Sequence, residues 1–255
     1  MEILTLAGAE RFGLLLVRCL SFFIAGPIFA QQRIPAPVKI LLGAATAIAL
    51  FGTVPPEPVR ASGLVSFVAC VAGETALGLL LGLAAAFPFA GINLAGSLVG
   101  VQMGFGIVSA WDPHAEGEDD LITRLYGTLA LLLFLLLNGH HLLLRALGLS
   151  LKALPLGGVV LQGPVVHQVI GLAGSLFVVS LAVGGPLLAV LFLADAAMGF
   201  VARTVPQMNI FIVGFPVKIG IGILGIALTI PFFTRTVDRL LAGLERDLLG
   251  LLAGM

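Results

Sequence analysis

Residues 64–101 read LVSFVACVAGETALGLLLGLAAAFPFAGINLAGSLVGV, with Glu74 as the single charged residue among 38. A second stretch of the same character runs from Val165 to Phe200. A bilayer core of about 30 Å asks for about 20 apolar residues per helix, so each stretch is nearly twice one crossing. Each is interrupted near its middle, the first by Pro88 with Gly91 and the second by Gly184-Gly185-Pro186. Proline removes a backbone donor and its ring crowds the preceding turn, so it kinks or ends a helix. Each stretch is therefore expected to be a hairpin of two short helices or one kinked helix with a packed extension. Broken helices at membrane depth are tolerated only against protein or a water-filled cavity, which argues for partner subunits.

Four shorter apolar stretches flank these two: Phe12 to Ala30, Ile40 to Val54, Leu125 to Leu144 and Ile219 to Phe233. The expected fold is an all-α membrane protein with about six nominal hydrophobic segments, one domain over residues 1–255. Residues 1–30 are read as a retained first membrane helix rather than a cleaved signal. Arg18 interrupts the apolar run, Glu2 and Glu10 spoil a basic leader, and Ile28 is too large for the position before a cut at Ala30. The tail over residues 235–255 is amphipathic. Leu240, Leu241, Leu244, Leu248, Leu251 and Leu252 share one helical face, and Asp238, Arg239, Glu245, Arg246 and Asp247 lie elsewhere, so it should rest at an interface or on a partner.

Composition sets the class. The 255 residues are 59% hydrophobic and 10% charged, with a mean hydropathy of +1.16. Soluble domains carry about 25% charged residues, and a single soluble core of this length could not hide so much apolar material. A soluble globular enzyme is excluded, and so is disorder, which needs charge and few apolar residues. Thirteen basic and thirteen acidic residues cancel, leaving no basic stripe for nucleic acid. Cys19 and Cys70 stand alone in apolar segments and read as buried thiols. In a six-span reading the side of the termini holds Arg11, Arg60, Arg145, Lys152, Arg235, Arg239 and Arg246. The other side holds Arg33, Lys39, Arg124 and Arg203, and this bias leans toward cytoplasmic termini.

The 33 glycines are about 13% of the chain, against a usual 7% or so, which in a membrane protein points to close helix packing. Gly78 and Gly82 lie four apart, and Gly96, Gly100 and Gly104 make a second ladder at the same spacing. Either spacing presents a groove that another backbone can approach, or arises by chance in a Gly- and Ala-rich chain, which is less easily said of the triple ladder.

Catalytic chemistry finds no foothold: there is no Gly-rich phosphate loop, no GxSxG and no pair of catalytic carboxylates. His140 and His141 are adjacent, so they point about 100° apart on a helix and cannot share a metal; a polar helix-end role suits them better. No cofactor is expected. Glu74, Asp195, Arg203 and Lys218 are ionisable groups within or beside apolar stretches, where a charge is costly and has a functional or a pairing role. The segment from Val101 to Asp120 is the most unusual. Gln102-Met103-Gly104-Phe105-Gly106 leads through Trp111-Asp112-Pro113 into Glu116, Glu118, Asp119 and Asp120. It is either a solvated connector with an interfacial Trp or a mobile element that lines or closes a pore with adaptable apolar side chains.

Two motifs carry a family resemblance: LFLLLNGHH from Leu133 to His141, followed by Ser150, Pro155 and Gly157, and DAAMGFVARTVPQMNIFIVGFPVKI from Asp195 to Ile219. With Arg18, Pro27, Pro35 and Lys39, Glu74 with Gly78 and Gly82, and the QMG of Gln102 to Gly104 with Asp112-Pro113, the chain resembles the FliR family of flagellar export proteins over nearly its whole length. The acid cluster Glu116 to Asp120 is heavier than the family pattern. Asn138, Gly139, His140, Pro206, Asn209, Phe211, Gly214 and Pro216 are the motif positions.

The resemblance implies a core subunit of the type III export gate in the bacterial inner membrane. It would assemble with FliP-like and FliQ-like subunits into a helical channel, contact FlhB-like and FlhA-like components, and pass unfolded flagellar proteins. It also implies that the loop after QMG plugs the closed pore, which puts Met103, Gly104, Phe105, Gly106 and Trp111 at or beside the gate. The homologous virulence secretion subunit is an alternative, although NIFIVGFP reads as the flagellar branch. A different class, a small-molecule secondary transporter, would use Glu74 and Asp195 as coupling carboxylates; the chain shows no internal inverted repeat to support it.

Overall fold

The computed structural model describes residues 6–27, 34–54, 63–105, 120–158, 163–205, 207 and 209–253. Among the described residues there is no strand, and seven helices carry the chain. They are α1 (Leu6–Ala25), α2 (Ala36–Phe51), α3 (Leu64–Met103), α4 (Leu121–Leu136), α5 (Gly139–Ala153), α6 (Gly163–Thr204) and α7 (Ile210–Ala253).

Both overlong stretches are single helices, so the hairpin alternative does not hold. Helix α3 runs for 40 residues through Pro88, and α6 for 42 residues through Pro186. A proline removes one backbone donor, whereas a hairpin would leave a full set of unpaired end groups among apolar side chains. Helix α7 joins the end of the second family motif, the expected last span and the amphipathic tail into 44 residues, with Pro216 and Pro231 inside it.

The chain breaks instead in the expected span Leu125 to Leu144. Helix α4 ends at Leu136, and Asn138 takes a left-handed conformation (φ 57°), the only described non-glycine residue with positive φ. Asparagine tolerates that region because its short amide can bond locally. His140 and His141 then sit in the first turn of α5, rings 4.2 Å apart.

By length and composition α3, α6 and α7 can cross a membrane, and α4 with α5 makes a fourth span if the broken pair is counted as one. Helix α1, expected to be a membrane helix, is not among them. Glu10, Arg11 and Arg18 fall within its 20 residues, and both arginines are buried inside the protein.

Two compact units divide the chain. The first comprises residues 1–87, 138–173 and 241–255. Its α1 lies against α2, with Phe12 edge-on to Phe51 at 5.9 Å and Arg11 donating to the Val54 carbonyl at 3.1 Å. Leu14, Phe22, Leu77, Leu81, Leu147 and Leu151 belong to its core. So do Leu244, Leu248 and Leu251, which means that the leucine face of the tail is covered by the chain's own residues rather than left for a partner.

The second unit comprises residues 88–137 and 174–240. Ile92, Val99 and Met103 of α3 are buried there, as are Ile122 and Phe134 of α4, Leu187 and Leu191 of α6 and Phe233 of α7. Phe89 packs edge-on to Phe134 at 5.3 Å, and Tyr126 to Phe233 at 5.6 Å. Gly91 lets α3 pass close to α6, where a Cβ would stand 2.8 Å from the Leu176 carbonyl oxygen.

Candidate functional site

In the first unit, Arg18 and Glu74 are both wholly buried and form an ion pair through Nε and Oε2. The other guanidinium nitrogens are also engaged: Nη1 donates to Ser150 Oγ at 3.3 Å and Nη2 to the Leu154 carbonyl at 3.0 Å. The second Glu74 oxygen accepts from the Gly157 amide at 2.8 Å, and Ser150 Oγ donates to the Leu147 carbonyl at 2.7 Å. Burying a charge pair is costly unless its polar atoms find further partners, and here each guanidinium nitrogen and each carboxylate oxygen has one. One ion pair thus ties α1, α3, the end of α5 and the turn that follows it.

Glycine makes that approach possible. Gly78 lies one turn after Glu74 on α3 and packs against the Arg18 carbonyl and Ser21; Gly82 packs against the Phe22 carbonyl, where a Cβ would stand at 2.6 Å. The first ladder is a groove filled by α1. Gly96 and Gly100 form another, filled by the start of α4, with the Thr123 backbone over Gly96 and the Asp120 carboxylate over Gly100. Asp120 caps α4 by accepting from the Thr123 amide at 2.6 Å, so the last residue of the acid cluster is a helix cap.

Gly104 does not continue that groove. It ends α3 with φ +100°, its amide donating to the Val101 carbonyl at 3.0 Å, and a Cβ there would come within 2.6 Å of the Phe215 ring. The residues just before it are pinned as well. Gln102 Nε2 donates to Asp195 Oδ2 at 2.6 Å, and the other Asp195 oxygen is 2.5 Å from Lys218 Nζ. Met103 is fully buried, with its thioether over Gly222. Helices α6 and α7 therefore hold the end of α3 by one hydrogen bond, whose carboxylate is itself paired with Lys218, and by two packed side chains.

These contacts collect residues that are far apart in sequence. Asp195, Lys218 and the QMG run meet in one cluster; Arg18, Glu74, Ser150 and Gly157 meet in the other. Both carboxylates that a transporter would need are ion-paired. Arg203 is exposed, with no ion pair among the described residues, and Asn209 and Pro216 are exposed. Gly214 is buried, and a Cβ there would stand 3.1 Å from the Met198 sulfur; Gly139 is buried too. Gly106, Trp111, Pro206, the Asp112-Pro113 pair and residues 116–119 lie outside the described residues, and so does the side chain of Phe211. No cluster of three His, Cys, Asp or Glu side chains suited to a metal occurs among the described residues. The hub formed by Arg18 and Glu74 with Ser150, Leu154 and Gly157 was not deduced from sequence, which marked Arg18, Glu74, Ser150 and Gly157 without giving them partners.

The family whose sequence profile matches residues 9–244 is described as bacterial export proteins, family 1. The chain belongs to that family. Among its curated relatives is the flagellar biosynthetic protein FliR of Bacillus subtilis, 32% identical over 249 residues, which are 94% of this chain and 95% of the relative. The FliR of Escherichia coli is 31% identical over 227 residues, 88% and 86% of the two chains. The secretion system apparatus protein SsaT of Salmonella typhimurium is 26% identical over 168 residues, 66% and 65%. The family and the apolar helices together make this an integral membrane subunit of a flagellar type III export apparatus, and the virulence alternative fits less well.

Proposed function

We propose that the chain lines part of the export channel itself, together with FliP-like and FliQ-like subunits, in the bacterial inner membrane with its termini on the cytoplasmic side. FlhB-like and FlhA-like components would dock on that assembly, and the cargo is unfolded flagellar protein. The chain supplies a conduit and its closure rather than a catalysed reaction, and transport is driven by partner components.

The observation that carries this reading is the apolar exposure along α6. Val166, Ile170, Phe177, Leu181, Phe192 and Phe200 are all more than half exposed. At 1.5 Å per residue they cover about 50 Å of helix, against about 30 Å of hydrocarbon in a bilayer. Lipid alone cannot cover that length, so other protein must cover the rest. Met103, Gly104 and Phe105 stand at the end of α3, where the chain enters the segment that the family resemblance assigns to the plug. A buried methionine, a left-handed glycine and a phenylalanine suit an apolar seal, because a dewetted constriction excludes ions without a binding site.

Affinity purification from detergent-solubilised membranes tests the assembly. FliP-like and FliQ-like subunits should co-purify in a stable complex. A monodisperse monomer that keeps its fold and catalyses solute uptake in vesicles by itself would favour the transporter class instead.

A further inference from the structure

We infer that Asp195 is a positioning residue for the end of α3, holding residues 102–104 in place through Gln102 while Lys218 holds Asp195. The inference deepens the proposed gating role and rests on it for its functional consequence, though not for the latch itself.

The geometry is a relay across three helices. Asp195 on α6 offers two oxygens, one to the Gln102 amide at 2.6 Å and one to the Lys218 ammonium at 2.5 Å. Neither oxygen is spare, so the position of Gln102 is set by a carboxylate that is itself oriented by a cation. Hydrogen bonds to an ionised acceptor are about twice as strong as neutral ones, so this one is suited to hold a helix end. The two residues after Gln102 are held by shape rather than charge. Met103 fills the space over Gly222, and Gly104 lies under the Phe215 ring. Lys218 and Gly222 are one turn apart on α7, and Phe215 precedes Lys218 by three residues, so all three contacts come from one face of that helix. Shape contacts of this kind slide; the polar bond fixes the register.

The latch is also the part of the site that can be released. Asp195 is about one third exposed and Lys218 about one fifth exposed, unlike the wholly buried Arg18 and Glu74. The chain itself does not enclose this pair, so its opening does not require the second unit to unfold. Gln102 carries both a donor and an acceptor, so it can bond to a carboxylate or to an ammonium in the same place. That property makes a charge exchange between Asp195 and Lys218 informative.

The test uses the purified export complex and cells carrying it. Asp195→Ala should speed amide hydrogen exchange in residues 101–105 by about tenfold to a hundredfold, the effect of losing one charge-assisted hydrogen bond, with complex yield unchanged. Gln102→Leu removes the amide and leaves the ion pair, and should give the same acceleration; it serves if Asp195→Ala fails to assemble. The double exchange Asp195→Lys with Lys218→Asp should restore protection, because the Gln102 carbonyl can accept from the introduced ammonium. Idle cells carrying either single variant should admit small solutes, and the double exchange should reseal them. Unchanged exchange rates in both single variants would overturn the latch, as would failure of the double exchange to restore protection. Lost protection with a membrane that stays tight would uphold the latch and count against the gating role instead.

Discussion

Gly78 of α3 lies directly against the main chain of Arg18: a Cβ at position 78 would stand 2.5 Å from the Arg18 carbonyl oxygen. That contact brings Glu74, one turn earlier on the same helix, to the Arg18 guanidinium, so the glycine and the ion pair are one device.

Gly78→Ala should therefore be destabilising although alanine is the better helix former. The clash with backbone and with Ser21 should cost about 1–3 kcal/mol, the usual range for overpacking. Gly13→Ala and Gly171→Ala provide the comparison, because a Cβ at either position meets nothing within 4 Å. Thermal unfolding of the detergent-purified complex should show a lower midpoint for the first variant and an unchanged or higher one for the other two.

Removing one partner of the buried pair should be worse than removing both. Glu74→Leu leaves the Arg18 guanidinium desolvated without its counter-charge, and Arg18→Met does the same to Glu74; each should cost about 3–5 kcal/mol. Arg18→Met with Glu74→Leu should recover much of that loss. Steady-state accumulation of the protein in membranes, read beside its thermal midpoint, checks the order.

Much of this arrangement was legible in the sequence, and its gaps have physical causes. The membrane class follows from 10% charged residues, and the costly ions Glu74, Asp195 and Lys218 could be picked out because so few charges surround them. Their partners could not. Arg18 and Ser150 are 132 residues apart, and nothing in periodicity tells which helix faces which. Pro88 and Pro186 leave both a hairpin and a kinked helix open in sequence, and the cost of stranded backbone groups favours continuity. Asn138 lies inside the apolar run Leu125 to Leu144 and reads there as part of a span, although Asn-Gly is a turn dipeptide. The Gly96-Gly100-Gly104 ladder looks uniform in sequence, yet only the first two positions face the start of α4, since the third ends α3 and lies under the Phe215 ring of α7.

At that terminus the backbone itself makes a prediction. Gly104→Ala places a side chain at φ +100° and against Phe215. Left-handed strain costs about 1–2 kcal/mol for an ordinary residue, and the collision adds to it. Hydrogen exchange in residues 101–105 should accelerate while the Arg18–Glu74 region of the first unit keeps its protection.

Asp120→Ala should loosen the start of α4 by about 1 kcal/mol, the usual worth of an N-cap, whereas Asp120→Asn should keep the cap. The affected amide is Thr123, whose exchange rate reports the loss directly.

A channel-lining role requires the end of α3 to meet cargo. A photoreactive amino acid placed at Phe105, with a second at the exposed Phe177 of α6 as control, can be irradiated in cells whose export is stalled by a plugged substrate. The expected product is a covalent adduct between position 105 and the stalled flagellar protein, absent when export is idle and absent at position 177. Adducts at position 105 only to lipid or to neighbouring subunits, with cargo demonstrably stalled in the channel, would contradict it.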